Sequence, residues 1–140
     1  METSTQIGKR RILVADDNAM LRRALQIVLE LWGFEVTVVE DGSAALTAAR
    51  QAHHAAIVMD IRMPEIDGLE VARRIRADPR SSTVLLLALS GSGEPEDRSA
   101  ALAAGFDHHL VKPVDPDLLR KLLEGTPAPA TEGDPVPSRR

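Results

Sequence analysis

The chain contains no cysteine, which excludes a disulfide framework and any thiolate metal site. Aromatic residues are nearly absent too: two Phe, one Trp and no Tyr, 2% of the sequence. A core built under that shortage has to come from Leu, Val, Ile and Ala. With 44% hydrophobic residues among 140, there is enough for one domain. No apolar run reaches membrane-spanning length, and the N-terminus lacks the apolar segment of a signal peptide. The formal charge of -4 comes without a basic stripe, which speaks against nucleic acid. Lys9, Arg10, Arg11, Arg22, Arg23, Arg73, Arg74 and Arg76 are expected to lie on solvated faces. The expectation is a cytoplasmic protein with neither membrane nor nucleic acid as a partner.

What is present is an alternation of short apolar strands with helical patterns. Ile12–Ala15 reads as a strand ending in Asp16-Asp17-Asn18, with Asn18 as N-cap of a helix carrying Leu21, Leu25, Val28, Leu29 and Trp32. Phe34–Val39 is a second strand, followed by Asp41-Gly42-Ser43 and an Ala-rich helix to about Gln51. Ala56–Asp60 is an apolar run closed by a carboxylate, then Pro64 and Gly68, then a helix from about Leu69 to Ala77. Thr83–Leu89 is a fourth strand ending in Ser90-Gly91-Ser92-Gly93. Pro95 opens a helix that runs to Gly105. Asp107–Val111 is a fifth strand ending at Lys112-Pro113, and Asp115-Pro116 opens a last helix. Residues 1–9 are expected to be a flexible N-terminus and residues 125–140 a Pro-rich disordered tail or linker.

Five strands alternating with five helices predict an α/β, doubly wound five-stranded parallel sheet in the flavodoxin-like order 2-1-3-4-5. Strands 1 and 3 then neighbour each other at the topological switch point, where such sheets place ligands. Asp16, Asp17, Asp60, Ser90 and Lys112 all stand at strand ends on that edge. Clustered carboxylates repel one another and call for a hard cation, and oxygen-only ligands suit Mg²⁺. Lys112 supplies a point charge for a phosphoryl oxygen, and Ser90 a hydroxyl. These are the parts of phosphoryl transfer to a carboxylate, which needs no general base.

Four segments resemble the receiver domain of two-component response regulators over about residues 10–124. They are Ile12-Leu13-Val14-Ala15-Asp16-Asp17-Asn18, Asp60-Ile61-Arg62-Met63-Pro64-Glu65-Ile66-Asp67-Gly68, Leu89-Ser90-Gly91 and Ala104-Gly105-Phe106-Asp107-His108-His109-Leu110-Val111-Lys112-Pro113. The resemblance implies that Asp60 accepts a phosphoryl group from a histidine kinase or histidine phosphotransfer protein. Asp17, Asp60 and the Arg62 carbonyl would ligate Mg²⁺ (or Mn²⁺), with Asp16 acting through water. Ser90 and Lys112 would hold phosphoryl oxygens, and the Lys112–Pro113 bond would be cis. Phosphorylation would switch the surface of the fourth helix, fifth strand and fifth helix toward a downstream protein target. Such a domain is a signalling phosphoacceptor rather than an enzyme acting on other substrates. The segment around His109 resembles receivers of hybrid histidine kinases, so a stand-alone regulator and a receiver from a hybrid kinase both remain open. The sequence does not specify an oligomeric state.

Two positions depart from the family. His109 stands where Tyr or Phe is usual, three residues before the lysine; coupling to Ser90 and an inert surface histidine both remain open. Gly91 stands where Ala is more common, which predicts a looser loop. Arg62 and Ser92, each two residues beyond a site residue, either tune the lifetime of the acyl phosphate or simply face solvent. Met20 is either a docking contact for a partner's helix or a rim residue of the core, and His53 and His54 read as structural. Two other functions fit less well. An aspartate-nucleophile phosphohydrolase usually carries a second Asp where this chain has Arg62. A degenerate, purely protein-binding receiver would lack Asp60, Lys112 or the acidic pair.

Overall fold

The computed structural model describes residues 9–126. Five parallel strands, β1 (Arg11–Ala15), β2 (Glu35–Val39), β3 (Ala56–Asp60), β4 (Leu85–Ser90) and β5 (His108–Val111), form one sheet in the order β2-β1-β3-β4-β5. The helices between them are α1 (Ala19–Leu31), α2 (Gly42–Gln51), α3 (Gly68–Ala77), α4 (Pro95–Ala104) and α5 (Pro116–Glu124).

The period-2 alternation of side chains sorts the core into two layers. Ile12, Val14, Val58, Leu87 and Leu89 face α1 and α5 through Leu25, Leu29, Leu119 and Leu123. Leu13, Ala15, Ile57, Met59, Leu86 and Ala88 face the other way, toward Ala45, Leu46, Val71, Ile75 and Ala101 of α2, α3 and α4. β3 is buried at all five positions, which is why its sequence reads as an unbroken apolar run. Small alanines on α2 and α4 pack in this layer, with Phe106 as its buried aromatic.

Four of the five helices begin with a side-chain cap of the expected type. Asn18 Oδ1 accepts from the N–H groups of Met20 and Leu21, and Asp41, Asp67 and Asp115 do the same for Ala44, Glu70 and Asp117. α4 has no such cap and starts on Pro95, and it ends on Gly105 at φ 117.

β2, β4 and β5 start later than read in the sequence, each because a neighbouring group captures the backbone first, while β1 starts one residue earlier, at Arg11. β4 begins at Leu85 rather than Thr83 because Arg76 Nη1 takes the carbonyls of Ser82 and Val84, at 3.0 and 2.6 Å, while Val84 N–H bonds Ser81 O in a turn. β4 then extends to Ser90, which pairs with Val111. β5 begins at His108 because Asp107 turns its carboxylate onto Leu86 N–H at 2.9 Å. β2 begins at Glu35 because Phe34 N–H closes the end of α1 on Leu29 O.

The expected solvated arginines also need correction at three places: Arg10, which is half-buried with its Nε buried, Arg76 and Arg22. Arg76 is half-buried and spends its guanidinium on Gly105 O, Ser82 O, Val84 O and Asp107 Oδ2. Arg22 folds back onto Asp16 O at 2.9 Å. Arg73 and Arg74 do lie outward, both paired with Glu70. The expectations for residues 1–9 and 125–140 lie almost wholly outside the described residues. Of their described part, Lys9 is exposed, and Thr126 is buried with its hydroxyl on Leu123 O. No helix among the described residues is long and apolar enough to cross a membrane.

Candidate functional site

The carboxyl ends of β1, β3, β4 and β5 open onto one edge of the sheet, and the loops after them carry the polar groups. Asp16 directly follows β1 and is fully buried. Its Oδ1 accepts from Asn18 N–H at 2.8 Å, so the residue that caps α1 also fixes the site carboxylate. Arg22, one turn into α1, braces the Asp16 carbonyl from the other side. Asp17 is exposed beside it. Asp60 ends β3 and is 5% exposed, with Oδ1 accepting from Arg62 N–H at 3.1 Å. One oxygen from each of Asp16, Asp17 and Asp60 lies within 4.8 Å of the others.

Lys112 follows β5 and reaches back across the edge. Its Nζ lies 3.1 Å from Asp60 Oδ2 and 3.2 Å from Asp16 Oδ2. Its own N–H is held by Ser90 O at 2.8 Å, and the Lys112–Pro113 peptide is cis. Asp16 Oδ2 is buried, and among the described residues it meets the Lys112 ammonium at 3.2 Å but no other hydrogen-bond partner. One ammonium against three carboxylates leaves the cluster short of positive charge. This donor set is all oxygen, pre-arranged, and includes an incompletely satisfied buried oxygen; it fits a hard divalent cation.

The charges act on one another. Burial pushes the Asp60 carboxyl above the usual carboxylate range; the Arg62 N–H opposes this, the Asp16 charge adds to it, and Lys112 opposes it again. Burial by itself favours neutral Lys112, but the hydrogen bond to Asp60 and the charges of Asp16 and Asp60 win and raise it. Lys112 therefore stays an ammonium at neutral pH.

Ser90 closes β4, 6% exposed. Its Oγ is 2.7 Å from Ser92 O and 2.8 Å from His109 Nε2. Of the two readings open for His109, the geometry has the ring on Ser90. Ser92 is half-buried and its Oγ accepts from Glu94 N–H, while Arg62 is exposed with its backbone tied to Asp60. Gly91 is exposed, and a Cβ there would meet nothing. Met20 is 83% exposed and belongs to no core layer. His53 is exposed and His54 half-buried at the far end of α2, outside the site; burial lowers the His54 pKa.

Two positioning residues escaped the sequence reading. Arg22 carries a weak signal, an Arg four positions after an N-cap at a strand end. Gly68 is the other: a Cβ there would collide with the Asp60 carbonyl and Ile61, so only Gly lets the loop return against the strand end. That return places Gly68 N–H on Ile61 O at 2.7 Å. Glu65 sits in the same loop at φ 71, a left-handed backbone that is strained for a non-Gly residue.

Comparison with known proteins agrees with this geometry. The response regulator receiver domain family matches residues 12–124. An uncharacterised 14.6 kDa protein of Leptolyngbya boryana is 39% identical over 124 residues, covering 89% of this chain and 92% of its own. The transcriptional regulatory protein PrrA of Mycobacterium leprae is 40% identical over 109 residues, covering 78% of this chain and 46% of its own. The chain thus spans about half the length of such transcriptional regulators. Among solved structures, the receiver domain of sensor histidine kinase PA1611 from Pseudomonas aeruginosa, with a magnesium ion in its active-site cleft, superposes with a TM-score of 0.78. It is 33% identical, covering 83% of this chain and 95% of that one. On fold, site and sequence together, the chain belongs to the response regulator receiver domains of two-component systems.

Proposed function

We propose that the protein is the phosphoacceptor of a two-component phosphorelay, with Asp60 taking a phosphoryl group from a phosphohistidine. The carrying observation is that Asp60 Oδ2 faces Lys112 while the Asp16 and Asp17 carboxylates crowd beside it. An oxygen of Asp60 attacks phosphorus, the P–N bond breaks, and the electron pair leaves with the imidazole nitrogen. Lys112 moves its ammonium from the two carboxylates to a phosphoryl oxygen, and the Ser90 hydroxyl donates to another. Asp17, Asp60, the Arg62 carbonyl and, through water, Asp16 would hold Mg²⁺ (Mn²⁺ is the alternative hard ion). That ion supplies positive charge to the phosphoryl oxygens. Water later attacks the same phosphorus and restores the carboxylate; Arg62 and Ser92, bordering the site, tune that step.

The donor is a histidine kinase or a histidine phosphotransfer protein. Supporting this, Met20, Ile27 and Leu31 are exposed on one stripe of α1 that starts beside Asp17. The response to phosphorylation is carried by Ser90 and His109 to the α4–β5–α5 face. Leu102, Val111 and Leu118 are exposed there, one on each element, for a downstream protein target.

Intact-protein mass after incubation with acetyl phosphate tests the reading, with Mg²⁺ and with EDTA. One added phosphoryl group is expected, dependent on metal and absent in Asp60→Asn. Absence of any adduct and of any phosphate release in wild type refutes it. Turnover on unrelated phosphate esters would make the chain a phosphohydrolase instead.

A further inference from the structure

Ser90 Oγ has three polar neighbours, and together they use everything a hydroxyl has. It lies 2.7 Å from the Ser92 carbonyl oxygen, 2.8 Å from His109 Nε2 and 3.4 Å from the Ser92 backbone nitrogen. A hydroxyl offers one proton and two lone pairs. A carbonyl oxygen only accepts, so at 2.7 Å the single proton lies on the line to Ser92; otherwise two lone pairs face each other. The Ser92 N–H donates weakly into one lone pair. The remaining lone pair faces His109, and a lone pair requires a donor.

We infer that His109 carries a proton on Nε2 and donates it to Ser90 Oγ, acting as a positioning residue that keeps the Ser90 proton available for an acceptor oxygen. The inference rests on the phosphoacceptor reading, in which that acceptor becomes a phosphoryl oxygen. The Ser90 proton then turns from the Ser92 carbonyl to the phosphoryl group, while the bond from His109 holds Oγ where it is. With the opposite tautomer, Nε2 competes with the phosphoryl oxygen for the same proton.

The fold supports the pairing. His109 is in register with Ala88, two residues before Ser90, so its side chain shares a sheet face with Ser90. Ser90 is only 6% exposed, so water does not easily stand in for the ring. Phe at position 109 would keep an aromatic shape without a donor. Gln keeps an N–H donor without the ring.

Ring ¹⁵N–¹H correlation spectra of the full chain, with His109→Gln for assignment, read the proton directly at about pH 8, where an ordinary imidazole is neutral. The expected result is a protonated Nε2 whose resonance moves on adding Mg²⁺ with beryllofluoride, a phosphoryl mimic. Phosphorylation by acetyl phosphate should slow about two- to tenfold in His109→Phe and recover in His109→Gln, the size of one hydrogen bond. A bare Nε2 with the proton on Nδ1 overturns the inference. So does a Phe variant that matches wild type. A wild-type chain that takes no phosphoryl group refutes the phosphoacceptor reading instead, and the ring spectrum still decides where the proton sits.

Discussion

Lys112 Nζ stands 3.2 Å from Asp16 Oδ2, a buried oxygen with no other hydrogen-bond partner among the described residues. The same ammonium also serves Asp60 at 3.1 Å, so one cation is divided between two carboxylates while Asp17 stands beside them. The site is therefore built around a shortage of positive charge.

A divalent cation should stabilise the folded chain. At about a hundredfold excess over its dissociation constant, Mg²⁺ should contribute about 2.7 kcal/mol, seen as a rise in Tm that EDTA reverses. Asp17→Asn and Asp16→Asn should each lose most of that rise. If both variants keep the full shift, the ion is held elsewhere.

Asp60→Asn should be more stable than wild type at neutral pH, and the sign follows from the raised carboxyl pKa. A carboxyl raised in the folded state favours folding while it is protonated. That contribution is present below the ordinary carboxylate value and is lost as pH rises through the raised one. The Asn variant never ionises, so its Tm advantage should be largest at pH 7 and shrink toward about pH 4. Calorimetry at the two pH values without metal reads this, and an unchanged difference contradicts it.

Arg76 makes no contact with the site, yet its guanidinium ties α3, the turn before β4, the end of α4 and Asp107 together. Arg76→Met leaves three carbonyls without this donor and the Asp107 carboxylate with only the Leu86 N–H, a loss of about 2–4 kcal/mol. Urea denaturation measures it. Arg76→Lys should recover only part, because an ammonium cannot span the same fork. Phosphorylation of whatever fraction is folded should be unaffected.

Glu65 at φ 71 is exposed, and its side chain has little to lose. Left-handed backbone costs a non-Gly residue about 1–2 kcal/mol, part of which Gly gives back as unfolded-state freedom. Glu65→Gly should therefore raise stability by a few tenths to about 1 kcal/mol. A lower Tm would mean that the Glu side chain makes a favourable contact worth more than the strain.

The local grammar of this chain was open to reading because each signal is short-range. Apolar strands, N-capping Asn18 and Asp115, and the Pro and Gly stops depend on residues within four positions of one another. The parallel order followed from the β-helix-β alternation, which leaves few ways to connect neighbours. Placing Asp16, Asp60, Ser90 and Lys112 on one edge required only that all strands point the same way.

Tertiary structure decided what depends on long-range partners. Arg76 looks like any surface arginine until Asp107, 31 positions on, and the Gly105 carbonyl arrive beside it. The further bonds of Arg76 to Ser82 O and Val84 O, and of Asp107 to Leu86 N–H, move the starts of β4 and β5, which no local propensity contains. Gly68 has an ordinary helix-start sequence, and it is the backbone of Asp60 and Ile61 behind it that makes a side chain there impossible. His109 was ambiguous for the same reason: its role lies in a hydroxyl 19 positions away on the next strand. Sequence by itself determined which elements form and which chemistry ends each strand; packing determined which side chains meet, because a hydrogen bond exists only when both partners arrive within about 3 Å.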